Sequence, residues 1–124
     1  GYCLGGSTVL EYARRGAELK GVVSFHGGLD LVGRDWRVAD VTAKLLLCTG
    51  VEDPLVPWEA LTDIQQRLRA AGVNWELDVY SQARHSFTRP DAALRSSPDR
   101  SGYDVQADRR SWRSALAFLG EVLG

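Results

Sequence analysis

An α/β fold, a parallel sheet flanked by helices, is the class this sequence predicts. Three observations predict it. Segments of helical periodicity alternate with strand-length segments along the whole chain. The runs Gly21–Phe25 and Ala43–Thr49 are short and apolar, as buried strands are. The residues able to do chemistry fall just after such runs, at the carboxyl ends where open parallel sheets carry their functional loops.

Each element has its own signal. Residues 4–15 read as a helix, with Val9, Leu10, Tyr12 and Ala13 forming a partly apolar face. Arg14 and Arg15 lie in its last turn and Gly16 supplies the stop. The strand Gly21–Phe25 ends at His26-Gly27-Gly28. Residues 29–42 are polar and irregular. Ala43–Thr49 is the second strand, followed by a Gly-Val-Glu-Asp-Pro turn. Pro57 opens a helix at a position that tolerates proline, Leu61, Ile64, Leu68 and Ala71 carry its periodicity, and Gly72 closes it. In Val73–Tyr80, Trp75, Leu77 and Val79 alternate with Glu76 and Asp78, which reads as a third strand. Residues 81–103 form a loop whose length favours a functional role. Residues 104–122 form an amphipathic helix through Val105, Trp112, Ala115, Leu116, Leu119 and Val122.

Composition sets limits. The chain has 124 residues, 44% hydrophobic and 25% charged, which suits one soluble domain or part of one. A net charge of −1 offers no footprint for nucleic acid or an anionic membrane. No apolar run approaches the ~20 residues of a membrane span, and no signal peptide is visible. Two cysteines are too few for a disulfide framework, so a reduced, cytoplasmic setting is expected. Methionine is absent and the chain opens inside a motif that ordinarily follows a complete strand. The expectation is therefore a piece of a larger protein, cut just before that motif.

The motif is Gly1-Tyr2-Cys3-Leu4-Gly5-Gly6. It has the Gly-x-nucleophile-x-Gly form of the nucleophile elbow of α/β-hydrolases, with cysteine as nucleophile. Its flanking glycines are expected because a side chain there would press on the neighbouring strand or helix. The helix that starts at Leu4 points its positive dipole end at the sulfur. Such a nucleophile needs a base, and the base needs an acceptor on its other ring nitrogen, in the order nucleophile, acid, histidine. His85 stands where that order places the base, and Asp53 where it places the acid, with Glu52 as a solvated neighbour. His26, the only other histidine, reads as structural, pocket-lining or a rival base. Cys48 lies within an apolar strand and reads as core. No Cys/His cluster has zinc spacing, and neither a metal nor an organic cofactor is required.

These stretches resemble the dienelactone hydrolase family of the α/β-hydrolase superfamily. The resemblance rests on residues 1–6, Phe25-His26-Gly27-Gly28-Leu29, Gly50 to Pro57, His85-Ser86-Phe87, and Tyr103-Asp104 with Ala107 to Trp112, and so spans nearly the whole chain. It implies that residues 1–124 are the C-terminal half of an α/β-hydrolase fold. It also implies a catalytic triad of Cys3, Asp53 and His85. The expected activity is hydrolysis of a small lactone or ester through a thioester acyl-enzyme. Arg89, close after His-Ser-Phe, matches a family position that holds a substrate carboxylate, and Phe87 and His26 are expected beside it in the substrate pocket. The Leu4 N–H supplies one half of an oxyanion hole. A general carboxylesterase or thioesterase is the alternative within the same fold. A non-catalytic relative with a redox-sensitive thiol is the alternative outside enzymology. Substrate identity and oligomeric state are not legible.

Overall fold

The structure, a computed structural model, describes residues 1–124. Its centre is a parallel sheet of three strands, β1 (Gly21–Phe25), β2 (Lys44–Gly50) and β3 (Trp75–Tyr80), in the order β1-β2-β3. Val22 faces Leu45, and Leu47 faces Leu77. The elbow adds a further rung. Tyr2 bridges Phe25 in parallel, the Phe25 N–H donates to the Gly1 carbonyl at 2.9 Å, and the Cys3 N–H donates to the Phe25 carbonyl at 3.0 Å. Residues 1–3 thus lie along β1 before turning into helix α1 (Leu4–Arg14).

Strand pleating sends alternate side chains to opposite faces, and two apolar clusters result. Val22, Leu45 and Leu47 join Leu10 and Ala13 of α1 with Ile64 and Leu68 of helix α2 (Trp58–Ala71). Val23, Phe25, Leu46 and Cys48 face the other way, against Phe87 and against Ala107, Ala115 and Phe118 of the last helix. Covering both faces is what makes β1 and β2 continuously apolar, where one-sided strands would alternate. Each fully buried Leu contributes about 1.5–3 kcal/mol. Gly16 (φ 90°) and Gly72 (φ 73°) end α1 and α2 in backbone conformations that disfavour other residues.

Three expectations need adjustment. The irregular stretch after β1 forms a 3-10 turn at Leu29–Leu31 and then buries Val32, Trp36 and Val41 in the first cluster. It is pinned by Glu11, which accepts from the Gly33 N–H at 2.9 Å and from both Arg14 and Arg15. The loop after β3 carries a short helix, α3 (Ala92–Arg95), and folds back on itself. The His85 N–H donates to the Arg100 carbonyl, and the Gly102 N–H donates to the His85 carbonyl. In helix α4 (Val105–Leu123), capped by Asp104 accepting from the Ala107 N–H at 2.8 Å, the buried stripe is Ala107, Ser111, Ala115 and Phe118. Val105, Trp112 and Leu116 remain about half exposed. Small residues on the inner stripe let the helix lie close to the sheet. Trp112 and Leu119 instead border an apolar depression with Val9, Tyr12 and Leu19, beside the open part of the β1 edge.

No helix is long and apolar enough to cross a membrane.

Candidate active site

The elbow and the ends of the three strands gather around Cys3. Cys3 caps α1 with φ 50° and ψ −122°, the turn that lifts a nucleophile off the end of its strand. Its backbone carbonyl receives the N–H groups of Gly6 and Ser7, and the Gly5 N–H turns back to Tyr2. The Leu4 N–H has no acceptor among these cap bonds, which leaves a donor free next to the sulfur. The glycine requirement is only partly as expected. A Cβ on Gly1 would lie 2.2 Å from the Gly5 carbonyl oxygen, but a Cβ on Gly5 would meet nothing within 4 Å. The crowded position is Gly6, where a Cβ would lie 2.6 Å from Ser24 Oγ and 3.0 Å from Gly27 Cα.

Asp53 follows β2 and is buried. Its Oδ1 accepts from the Leu55 N–H at 2.9 Å, a local turn bond that fixes the carboxylate, and its Oδ2 lies 2.9 Å from His85 Nδ1. Glu52 is exposed. The loop bearing His85 is held against the end of β2, where the Glu52 N–H donates to the Ala83 carbonyl. A Cβ on Gly50 would lie 2.1 Å from that same carbonyl oxygen, so the close approach of β2 to this loop needs glycine. The His85 imidazole is raised from 6.5 to about 9, chiefly by its hydrogen bond with Asp53 and then by the nearby Cys3 thiol. The Cys3 thiol is pulled down to about 5, foremost by its hydrogen bond with His26, then by the nearby His85 imidazole and the hydrogen bond with Ser86, against the opposing effect of burial. Thiolate and imidazolium therefore coexist around neutral pH. Cys48, by contrast, is pushed up to about 12 by burial and sits in the core.

The remaining expected residues fall in other places. His26 has no exposed surface, so it lines the sulfur rather than a substrate pocket: its Nδ1 lies 3.3 Å from Cys3 Sγ and its Nε2 2.8 Å from Thr88 Oγ1. Phe87 is likewise fully buried, with no surface open to a substrate in this structure. It meets the His26 ring edge-on at 4.9 Å and the Tyr80 ring at 5.6 Å, and so acts as the floor beneath the imidazole. Arg89 is partly exposed and makes long contacts of 3.3 and 3.5 Å with Asp91, an exposed pair of the modest kind.

Two residues were not singled out by the sequence. Ser86 Oγ lies 3.1 Å from Cys3 Sγ, and Thr88 holds His26. The only signal for either is a hydroxyl on each side of Phe87. No group of three or more His, Cys, Asp or Glu side chains is placed to hold a metal ion.

The dienelactone hydrolase family model matches residues 1–123. An uncharacterised protein of Caenorhabditis elegans is 32% identical over 124 residues, covering 98% of this chain and 77% of its own length. A Salmonella typhimurium protein provisionally named carboxymethylenebutenolidase is 28% identical, covering all of this chain and 46% of its own length. Among solved structures, the dienelactone hydrolase-like promiscuous phosphotriesterase P91, from metagenomic libraries, is 35% identical with a TM-score of 0.88. That match covers 98% of this chain and 50% of P91. The chain thus spans about half the length of several relatives it matches. With its sheet, its elbow and a family match from end to end, the chain belongs to the dienelactone hydrolase family.

Proposed function

We propose that the protein carrying this chain hydrolyses lactone or other carboxylic ester bonds, with Cys3 as nucleophile and His85, oriented by Asp53, as acid and base. The observation that carries the reading is that His85 Nδ1 is fixed on the buried Asp53 at 2.9 Å in the same cluster as Cys3, whose Sγ lies 3.1 Å from the hydroxyl of the adjoining Ser86. The Cys3 thiolate attacks the carbonyl carbon and forms the C–S bond. The resulting oxyanion is met by the Leu4 N–H. Collapse breaks the C–O bond, and the departing oxygen takes the proton of the His85 imidazolium. The neutral imidazole then removes a proton from water as its oxygen attacks the thioester. The second collapse expels the thiolate and releases the acid. Alkoxide and enolate leaving groups suit a thiol nucleophile better than the poor leaving group of an amide. Arg89 is the proposed partner of a substrate carboxylate, which would take the place of Asp91 on its guanidinium fork.

Cys3→Ala, assayed against a panel of lactones, aryl esters and thioesters, is the test. Loss of all hydrolysis with the fold retained supports the nucleophile, whereas unchanged turnover rejects it. The panel also separates a lactonase from a general esterase or thioesterase. A polypeptide limited to residues 1–124 is proposed to be inactive. The elbow supplies one oxyanion donor, and the second in this fold comes from a loop earlier than the elbow.

A further inference from the structure

Cys3 (φ 50°), His26 (φ 44°) and Ser86 (φ 57°) are the only non-glycine residues with positive φ, and their side chains meet at one atom, the Cys3 sulfur. Left-handed backbone is costly for residues with a Cβ and persists where the surrounding structure enforces it, commonly at functional sites. Here it aims two polar groups at the nucleophile from two different loops. The triad mechanism uses neither.

We propose that His26 and Ser86 form a second donor pair for the Cys3 thiolate, independent of the Asp53–His85 pair, and that Thr88 is the positioning residue that fixes the His26 tautomer. A thiolate only accepts, so the nitrogen and oxygen 3.3 and 3.1 Å from it must both donate. For Nδ1 to carry the proton, Nε2 must accept. Thr88 Oγ1, 2.8 Å away, makes no other side-chain hydrogen bond, so its hydroxyl is available to donate to Nε2. The Cys3 N–H also donates to Nδ1 at 3.3 Å, but it is shared with the Phe25 carbonyl at 3.0 Å, so it keeps an acceptor when Nδ1 carries the proton. The titratable groups around the sulfur are His26 from the end of β1 and His85 from the β3 loop, with Asp53 behind His85 from the end of β2. Tyr2 flanks His26 at 6.0 Å between rings, and α1 contributes only its N-terminal dipole.

The significance for turnover rests on Cys3 being the nucleophile, which Cys3→Ala tests. Alkylation reads the thiol directly, so the two ideas fail separately. In the intact protein, the rate at which the Cys3 thiolate displaces iodide from iodoacetamide is followed against pH by peptide mass spectrometry. Burial of Cys48 keeps it out of the signal. Thr88→Val and Ser86→Gly are each expected to raise the midpoint by roughly one pH unit. Thr88→Ser is expected to restore the parent value, and His85→Asn to leave the midpoint well below the ordinary cysteine range. Ser86→Gly keeps the left-handed backbone accessible, so it folds independently of how Thr88→Val behaves. An unchanged midpoint in folded Ser86→Gly or Thr88→Val, or a His85→Asn thiol that titrates like a free cysteine, overturns the proposal.

Discussion

On the proposed mechanism, the pH dependence of hydrolysis follows from Cys3 and His85. With the thiol lowered to about 5 and the imidazole raised to about 9, hydrolysis is expected to rise through the first value and fall through the second. A pH–rate profile of kcat/KM checks this, and a profile with its acid limb near 8 contradicts it. Asp53→Asn removes the main cause of the raised imidazole. Its basic limb should move down toward 6.5, and kcat should fall by roughly 10²–10⁴-fold. The stability sign follows from the same shift. A raised folded-state value contributes fully below 6.5 and is lost as pH climbs through about 9, so the stability advantage of the parent over Asp53→Asn should shrink across that window in urea melts. At this scale the pairing of Asp53 with His85 near Cys3 was legible, because the proposed chemistry constrains their order and their place after strands. His26 was visible only as a histidine of open role, and Ser86 and Thr88 not at all. Their partners are decided by left-handed turns at Cys3, His26 and Ser86, which no periodicity reports.

Close approach of elements sets the second group of expectations. Gly6→Ala would force a Cβ to within 2.6 Å of Ser24 Oγ and 3.0 Å of the Gly27 backbone, where α1 crosses the end of β1. A loss of about 1–3 kcal/mol is expected from denaturant midpoints. Gly5→Ala meets open space inside a helix and should be neutral or stabilising by up to about 1 kcal/mol, although Gly5 belongs to the elbow motif. Equal losses at the two sites would contradict this geometry. The pattern Gly-x-Cys-x-Gly identified the turn correctly, but which glycine is crowded depends on how deeply the helix settles on the sheet. Helix α4 shows the same limit. Its existence and span were readable from periodicity. Its buried stripe runs through Ala107 and Ser111 rather than Trp112, because close packing on the sheet selects for smallness as well as for apolar character.

For the whole molecule, the alternation of elements was enough to give parallel strands with helices on both faces, since only that topology connects such segments by short right-handed crossovers. The apolar depression beside the β1 edge, bordered by Trp112 and Leu119, is a tertiary feature that local pattern does not encode. A polypeptide of residues 1–124 expressed alone is expected to self-associate in sedimentation velocity, and Trp112→Glu to reduce that association. A monodisperse parent would contradict the expectation. The three left-handed side chains at Cys3, His26 and Ser86 have a consequence at this scale too. They are up to 83 residues apart, and each holds about 1–3 kcal/mol of backbone strain that both apolar clusters must offset. On the proposed mechanism, the fold and the reaction therefore pull on these positions in opposite directions. A randomised library sorted for heat resistance alone should drift toward glycine or asparagine at all three sites and lose turnover as it does so. The same library sorted for turnover should drift back to Cys, His and Ser.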